Sequence, residues 1–134
     1  MPKPNYPRRI IGVAIALLPA VPLLHALIAP TELSTRETAL AFISLVLGAA
    51  CAMLNFALSF VRPWLLQWRH GSTAGLTFVS GIPVLGTLST CIAAYLGWGS
   101  IPCASVVLAL SLIDTLSTTW IVIATWRDTS LWDA

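Results

Sequence analysis

One carboxylate, Asp114, stands near the middle of an otherwise uncharged apolar run from Ile101 to Trp126. A run of this length is typical of a membrane-spanning helix, which needs about 20 apolar residues. An ionised carboxylate at mid-span costs about 3 kcal/mol even on the most lenient insertion scale. Something must therefore compensate for Asp114, and the residues that do so are the best guide to function.

Three interpretations of Asp114 follow from this position. The acid is a protonated or hydrogen-bonded packing group, held by Ser, Thr, Asn or His partners through bonds of about 0.6 to 2 kcal/mol each, or it is a proton or cation site. In the second case His25 could complete a proton relay, because an acid and an imidazole at one depth suit a proton path. In the third, Asp114 contacts a span of a partner protein. We favour the packing interpretation for Asp114 and a structural role for His25.

Small and polar residues recur at helical spacing in three of the apolar runs, and such stripes must face protein or water rather than lipid. The stripes contain Ser44, Gly48, Cys51 or Ala52, Asn55 and Ser59 in the second run, Gly86, Thr90 and Ala94 in the third, and Ser111, Asp114 or Thr115, and Thr118 in the fourth. We expect these stripes to face one another. Counted from the cytoplasmic ends of the runs, Thr90 and His25 lie nearest to Asp114 in depth, and Asn55 lies about two helical turns closer to the cytoplasm. The predicted polar site comprises Asp114, His25, Thr90, Ser111, Thr118 and Asn55.

A second candidate site lies in the connection before the third run. Ser80 and Gly81, followed by Pro83, are typical of a helix N-cap and first turn. A helix N-terminus attracts anions, and Arg62 and Arg69 are close in sequence. Together Arg62, Arg69, Ser80 and Gly81 predict a site for an anion, with a phospholipid head group as the best candidate. The alternative, which we favour, is that the two arginines only set the topology.

Motifs for catalysis, cofactors or nucleic acid are missing from the sequence. It contains no GxSxG turn, no HExxH pair and no phosphate-binding glycine loop. Its formal charge of +2 and its lack of a basic run argue against nucleic acid as a partner. The three cysteines have no metal-ligand spacing and are predicted to be small packing residues. We predict a protein that is not an enzyme and that uses no cofactor or metal.

The elements that must position these residues are predicted to be membrane helices. The chain has 134 residues, of which 57% are hydrophobic and 9% charged, and its mean hydropathy is +0.88. Soluble domains are about a quarter charged. The sequence therefore predicts an all-α membrane protein, a single domain over 1–134 with spans at 10–29, 39–61, 78–97 and 101–126. A signal peptide is the alternative for the first run, but Leu27 and Pro30 suit a cleavage site poorly.

The distribution of basic residues predicts the orientation of the spans. Six of the seven lie on one side, at Lys3, Arg8, Arg9, Arg62, Arg69 and Arg127, and only Arg36 lies on the other. Because basic loops stay in the cytoplasm, both termini are predicted to be cytoplasmic.

Prolines predict two departures from regular helices. Pro19 and Pro22 each remove a helix hydrogen bond, so we expect a kink midway along the first span. Pro63 suits a first helical turn and Gly71 a helix stop. We therefore predict a short interfacial helix over 63–70, lying flat between the second and third spans.

The region from Asn55 to Asp128 resembles a group of small uncharacterised bacterial inner-membrane proteins. The segments that carry the resemblance are Asn55-Phe56, Leu58-Ser59-Phe60, Arg62-Pro63, Arg69-His70-Gly71-Ser72, Phe78-Val79-Ser80-Gly81-Ile82-Pro83, Gly86-Thr87 and Ala124-Thr125-Trp126-Arg127-Asp128. The region from Asn55 to Asp128 covers just over half of the chain. The resemblance implies location in a bacterial inner membrane and carries no mechanism.

Two functional hypotheses remain. The first is a non-enzymatic protein that interacts with the lipid bilayer and with a membrane protein, as an immunity protein does when it protects a cell against a membrane-acting toxin. This hypothesis rests on the small extramembrane mass and on analogy of size and topology. The alternative is a small proton-coupled transporter or channel that uses Asp114. It would be a homo-oligomer, because four helices enclose little space.

Overall fold

The computed structural model describes residues 5–71, 83–115 and 117–132, and this part of the chain is helical and contains no strand. In chain order the helices are α1 (Tyr6–Leu17), α2 (Val21–Ile28), α3 (Thr35–Phe56), α4 (Arg62–His70), α5 (Pro83–Leu96), α6 (Ile101–Ile113), α7 (Thr118–Thr125) and α8 (Thr129–Trp132). The all-α prediction is therefore confirmed for the described residues.

Three continuous or nearly continuous helical stretches are long and apolar enough to cross a membrane. They cover Tyr6–Ile28, Thr35–Arg69 and Ile101–Thr125, with 23, 35 and 25 residues. The remaining predicted span, 78–97, is described from Pro83 onward as α5, which has 14 residues. Its predicted start at Ser80 and Gly81 lies outside the described residues.

The first stretch is interrupted where the prolines predicted a kink. A 3-10 turn, Leu18–Ala20, joins α1 to α2. Pro19 lies in this turn, and Pro22 lies in the first turn of α2. Proline lacks the N–H that the preceding helical turn would accept, so the chain tightens locally at this point.

The second stretch begins with a capping box and runs further than predicted. The Ser34 hydroxyl accepts from the Glu37 backbone N–H, and the Glu37 carboxylate accepts from the Ser34 N–H at 2.9 Å. A π-helical turn, Ala57–Val61, leads without a break from α3 into α4. The predicted helix before Gly71 is present, and Gly71 ends it in the left-handed conformation with φ 67°. However, it continues the second stretch and is not a separate helix. Pro63 has no backbone N–H to donate to the preceding turn of helix, and the π-helical turn lies directly before it.

Small residues bring the helices together. α3 packs along α5, α6 packs against α2, α3 and α5, and α7 packs against α1. At the α3–α5 contact, a Cβ added to Gly48 would lie 3.0 Å from Thr90 Oγ1. The core around α5 and α6 is also built from small side chains, including Ala41 and Ala93. The predicted stripes on α3 and α5 therefore do face each other, as small residues at helix crossings allow.

Large apolar side chains lie on the outside of this helical assembly. Phe42, Met53 and Ile28 are 65%, 70% and 85% exposed, and only one fully buried residue, Asn55, has a large side chain among the described residues. A soluble protein places its large apolar residues in the core and keeps exposed apolar patches small. In the described part of this chain, small and polar residues form most of the interior and many large apolar side chains face outward.

Candidate polar site at the break in the fourth helix

The fourth apolar run is not one continuous helix. α6 ends at Ile113 and α7 begins at Thr118. Between them Asp114 has an extended conformation (φ −70°, ψ 99°), and so has Ser117 (φ −68°, ψ 160°). The prediction that Ser111, Asp114 and Thr118 form one helical stripe is therefore wrong in its geometry. Asp, Ser and Thr form local hydrogen bonds that compete with the helix, and they are concentrated here.

The break leaves helix carbonyls without their usual donors, and nearby groups replace those donors. The Ser117 hydroxyl donates to the Ser111 carbonyl at 2.8 Å, and the Trp120 indole donates to the Leu112 carbonyl at 2.7 Å. The Ser117 N–H donates to the Asp114 carbonyl at 2.9 Å. Because buried backbone groups without partners are costly, these bonds allow the chain to leave the helix inside the protein.

Asp114 is hydrogen-bonded to Asn55 of α3. The Asn55 side-chain amide donates to Asp114 Oδ1 at 2.8 Å, and the two residues are only 0% and 5% exposed respectively. The prediction that Asn55 lies two turns away in depth is therefore wrong. That prediction counted the depth of Asn55 from Val61, taken as the cytoplasmic end of the second span, whereas the helical stretch continues to Arg69.

Two further contacts hold the break against its neighbours. Thr115 and Ser59 hydroxyls lie 2.8 Å apart, which ties the break to the π-helical turn. On α5, a Cβ added to Gly86 would lie 3.2 Å from Asp114 Oδ2 and 3.0 Å from Cys51 Cβ. Gly86 therefore allows α5 to approach both the carboxylate and α3 more closely than a larger residue would.

Asp114 also forms part of the wall of a cavity of about 190 Å³. The wall is contributed by the first, third and fourth apolar runs, through Leu18, Pro19, Pro22, Thr87, Thr90, Cys91, Ala94, Val107, Ser111, Asp114, Ser117 and Thr118. Four of the six predicted polar residues thus share one cavity: Asp114, Thr90, Ser111 and Thr118. Asn55 reaches this site through its bond to Asp114.

His25 does not lie with these residues. Trp98 donates its indole N–H to His25 Nε2 at 3.3 Å, and the two rings are 4.8 Å apart. Trp98 precedes the start of α6, whereas Asp114 follows its end, so about 20 Å of helix separates them. His25 Nδ1 is buried and makes no hydrogen bond within the described part of the chain. The structure therefore does not bring Asp114 and His25 together as a relay.

The predicted anion site is described only in part. Arg62 and Arg69 lie seven residues apart on α4 and line one open groove of about 540 Å³, together with apolar side chains that include Leu58 and Leu65. Ser80 and Gly81 lie outside the described residues. The two arginines do share one face of α4.

Sequence reasoning missed Ser117 and Trp120, which stabilise the break. A signal was present, because Ser117, Thr118 and Thr119 form a run of poor helix formers that is separated from Asp114 and Thr115 by a single residue. Ser117 is also the residue that precedes the first turn of α7, where serine is a preferred N-cap. The indole of Trp120 gave no comparable signal.

Chemically, the site offers one carboxylate, one amide and several hydroxyls beside an apolar cavity. Within 5–71, 83–115 and 117–132, no three His, Cys, Asp or Glu side chains are grouped to hold a metal ion. The arrangement suits a proton or a single positively charged group. Comparison with protein-family models, curated proteins and solved structures found no match.

Proposed function

We propose that this chain is an integral protein of the bacterial inner membrane with four spans. The length and apolarity of three helical stretches support this proposal, as do the large apolar side chains on the outer surface. The third of the four spans would comprise α5 and the residues before it, since the sequence from 78 to 97 supplies about the required length.

Both termini would lie on the cytoplasmic side. In support, Arg8 donates to the Leu131 carbonyl at 3.1 Å, and the Arg9 guanidinium lies 5.2 Å from the centre of the Trp126 ring. These contacts join the two ends of the chain at one side of the helices. Because basic residues favour the cytoplasm, Arg8 and Arg9 would orient that side inward.

Within the membrane, the protein would move protons or a small cation by way of Asp114. The observation that carries this proposal is the break in the fourth helix, which places Asp114 in the wall of a cavity. Irregular backbone at membrane depth is tolerated where it is buried in protein or lines a cavity. Transporters bind coupling ions at such interrupted helices. A continuous path would need more than one copy, because the cavity in one chain is small.

Proton flux into liposomes tests this proposal. Purified protein would be reconstituted with a pH-sensitive dye inside the vesicles, and a potassium gradient with valinomycin would supply the driving force. Wild-type protein should acidify the interior, and Asp114→Asn should abolish most of that flux. Glu32→Gln is the matched control, because it makes the same chemical change at an exposed residue. No wild-type flux, or equal flux from Asp114→Asn, would contradict the proposal.

A second candidate function, binding a partner protein, is favoured by contacts at the opposite side of the helices. The Thr31 N–H donates to the Gly99 carbonyl at 3.0 Å, and its hydroxyl donates to the Trp98 carbonyl at 2.8 Å. These bonds join the 29–34 connection to the 97–100 turn. The resulting surface carries exposed Glu32 and Arg36, and a toxin or another membrane protein would recognise it.

For an immunity protein, loss of the gene should make cells sensitive to one toxin. A deletion strain would be grown in competition with siblings that carry toxin genes, and wild-type protein and a Glu32→Ala/Arg36→Ala variant would be supplied in turn. Rescue by the wild type alone would support recognition at this surface. Survival of the deletion strain at wild-type levels would exclude the immunity function.

Lipid binding by the groove of Arg62 and Arg69 is a further part of the proposal. The apolar groove wall suits an acyl chain, and the two guanidinium groups suit a phosphate. Native mass spectrometry with phosphatidylglycerol should detect fewer bound lipids for Arg62→Ala/Arg69→Ala than for Arg127→Ala, which removes an exposed cation near the C-terminus. Equal lipid retention by the two variants would exclude the site.

A further inference from the structure

His25 and Trp98 link the last turn of α2 to the 97–100 turn. The Trp98 indole N–H donates to His25 Nε2 at 3.3 Å, and the two ring centres lie 4.8 Å apart. An indole nitrogen can only donate, so Nε2 must accept, and the proton of a neutral His25 must lie on Nδ1. The contact therefore requires the uncharged imidazole in one of its two tautomers.

A charged His25 would have no acceptor for either of its N–H groups in this arrangement. Nδ1 is buried and has no hydrogen-bond partner within the described part of the chain, and Nε2 faces the indole N–H of Trp98. The imidazolium carries an N–H at both positions. Because a buried charge without hydrogen bonds is costly, the protonated ring would have to leave Trp98 to reach water or a carbonyl oxygen.

The segments around His25 supply no charge that would hold a protonated ring in place. α2 packs against α6 and the 3-10 turn Leu18–Ala20, and neither of these contains a charged residue. The titratable group of α6 is the Cys103 thiol, which donates to the Ala93 carbonyl at 3.4 Å. The charged or titratable side chains of the adjoining segments are all exposed: Glu32, Arg36, Glu37 and Tyr95. Within the described residues, neither ring nitrogen of His25 is bonded to a carboxylate.

The 97–100 turn also carries the contacts that hold the 29–34 connection. The Thr31 N–H donates to the Gly99 carbonyl at 3.0 Å, and the Thr31 hydroxyl donates to the Trp98 carbonyl at 2.8 Å. Gly99 has a φ of 85°, and a Cβ at this position would overlap the Thr31 side chain. The connection is therefore packed directly on the turn, and the turn is held to α2 through the Trp98 side chain.

From these observations we propose that the contact between His25 and Trp98 is a pH-sensitive switch at the end of the helices opposite the two termini. The neutral imidazole holds the 97–100 turn on α2. The protonated imidazole releases Trp98, and the contacts of Thr31 with the turn weaken. Histidine is the side chain whose charge ordinarily changes between about pH 5 and 8. This switch goes beyond the proposed movement of ions through Asp114 and does not depend on it.

Nuclear magnetic resonance of the imidazole nitrogens in detergent micelles tests the first step of the switch. The sequence contains two histidines, His25 and His70, so His70→Gln leaves the signals of His25 alone. At pH 8, His25 should be neutral with its proton on Nδ1, and at pH 5 it should be charged. A proton on Nε2 at pH 8, or a neutral His25 at pH 5, would overturn the proposal.

Hydrogen exchange of the Thr31 amide tests the second step. Its protection factor, which corrects for the direct effect of pH on exchange, should be about fivefold lower at pH 5 than at pH 8 in wild-type protein. Loss of one neutral hydrogen bond changes an equilibrium by about this factor. Equal protection at the two pH values would refute the switch even if His25 becomes charged, since the charged ring would then leave the turn in place.

Two variants assign the effect of pH to this contact. His25→Gln is the matched variant, because the glutamine amide oxygen can accept from the indole and does not titrate in this range. Its Thr31 protection should be the same at pH 8 and pH 5. Trp98→Phe removes the indole donor and should also show no change with pH, and it decides the question if His25→Gln does not fold. A fall in protection as large as that of wild type, in either variant, would contradict the proposal because another group would then be responsible.

Discussion

The hydrogen bond between Asn55 and Asp114 makes a quantitative prediction. Asn55→Ala removes the amide that donates to Asp114 Oδ1 at 2.8 Å, in a site where Asn55 is fully buried. A buried acceptor that loses its donor costs about 1 to 3 kcal/mol, and more when it is charged. Interhelical hydrogen bonds in membranes contribute about 0.6 to 2 kcal/mol. We expect Asn55→Ala to lower the free energy of unfolding by about 2 kcal/mol.

The measurement is a double-mutant cycle in mixed micelles, with unfolding by sodium dodecyl sulfate followed by circular dichroism. Asn55→Ala, Asp114→Ala and the double variant would be compared with wild type. Because the two side chains interact directly, the double variant should lose about 1 kcal/mol less than the two single losses combined. Ser105→Ala, at an exposed position on α6, is the control and should change stability by less than about 0.5 kcal/mol. Strictly additive losses would refute the pairing.

Substitutions at three further positions test other contacts by the same unfolding assay. Gly86→Ala should cost about 1 to 3 kcal/mol, because its Cβ would lie 3.2 Å from Asp114 Oδ2; wild-type stability would show that α5 is packed less closely than described. Trp120→Phe should lower the free energy of unfolding by about 1 kcal/mol, because it removes the indole donor to the Leu112 carbonyl. An unchanged midpoint of the unfolding transition would argue against that bond. Ser34→Ala should lower the free energy of unfolding by about 1 kcal/mol through loss of the helix cap, and Ser34→Asp should keep most of the stability that the cap provides. Equal losses of stability from the two substitutions would exclude the cap.

Residue types and spacing were sufficient to predict the all-α class and the contact face between α3 and α5. Pro19 and Pro22 act through the local backbone, so the interruption they cause could be placed from the sequence. The contact between Gly48 and Thr90 was likewise accessible, because small residues at helical spacing define a face whatever the exact depth of the helix.

The partners of Asp114 could not be predicted in the same way. Depths counted from presumed helix ends require regular helices of membrane length, and two of the helical runs depart from that pattern. The second continues past Val61 to Arg69, and the fourth breaks at Asp114. At the π-helical turn of the second run, Ser59 contacts Thr115 of the fourth, a tertiary contact that no local pattern encodes. The break in the fourth run had a local signal in its poor helix formers, but the bond from the Trp120 indole to the Leu112 carbonyl had none.

The break at Asp114 also divides the fourth run between two sets of neighbours. α6 packs with α2, α3 and α5, whereas α7 packs with α1. Asp114 and Ser117 therefore lie where two packing units meet, and the Asp114 carboxylate is at that junction. We expect the loss of the bond between Asn55 and Asp114 to change how α7 and α1 pack against the rest of the protein.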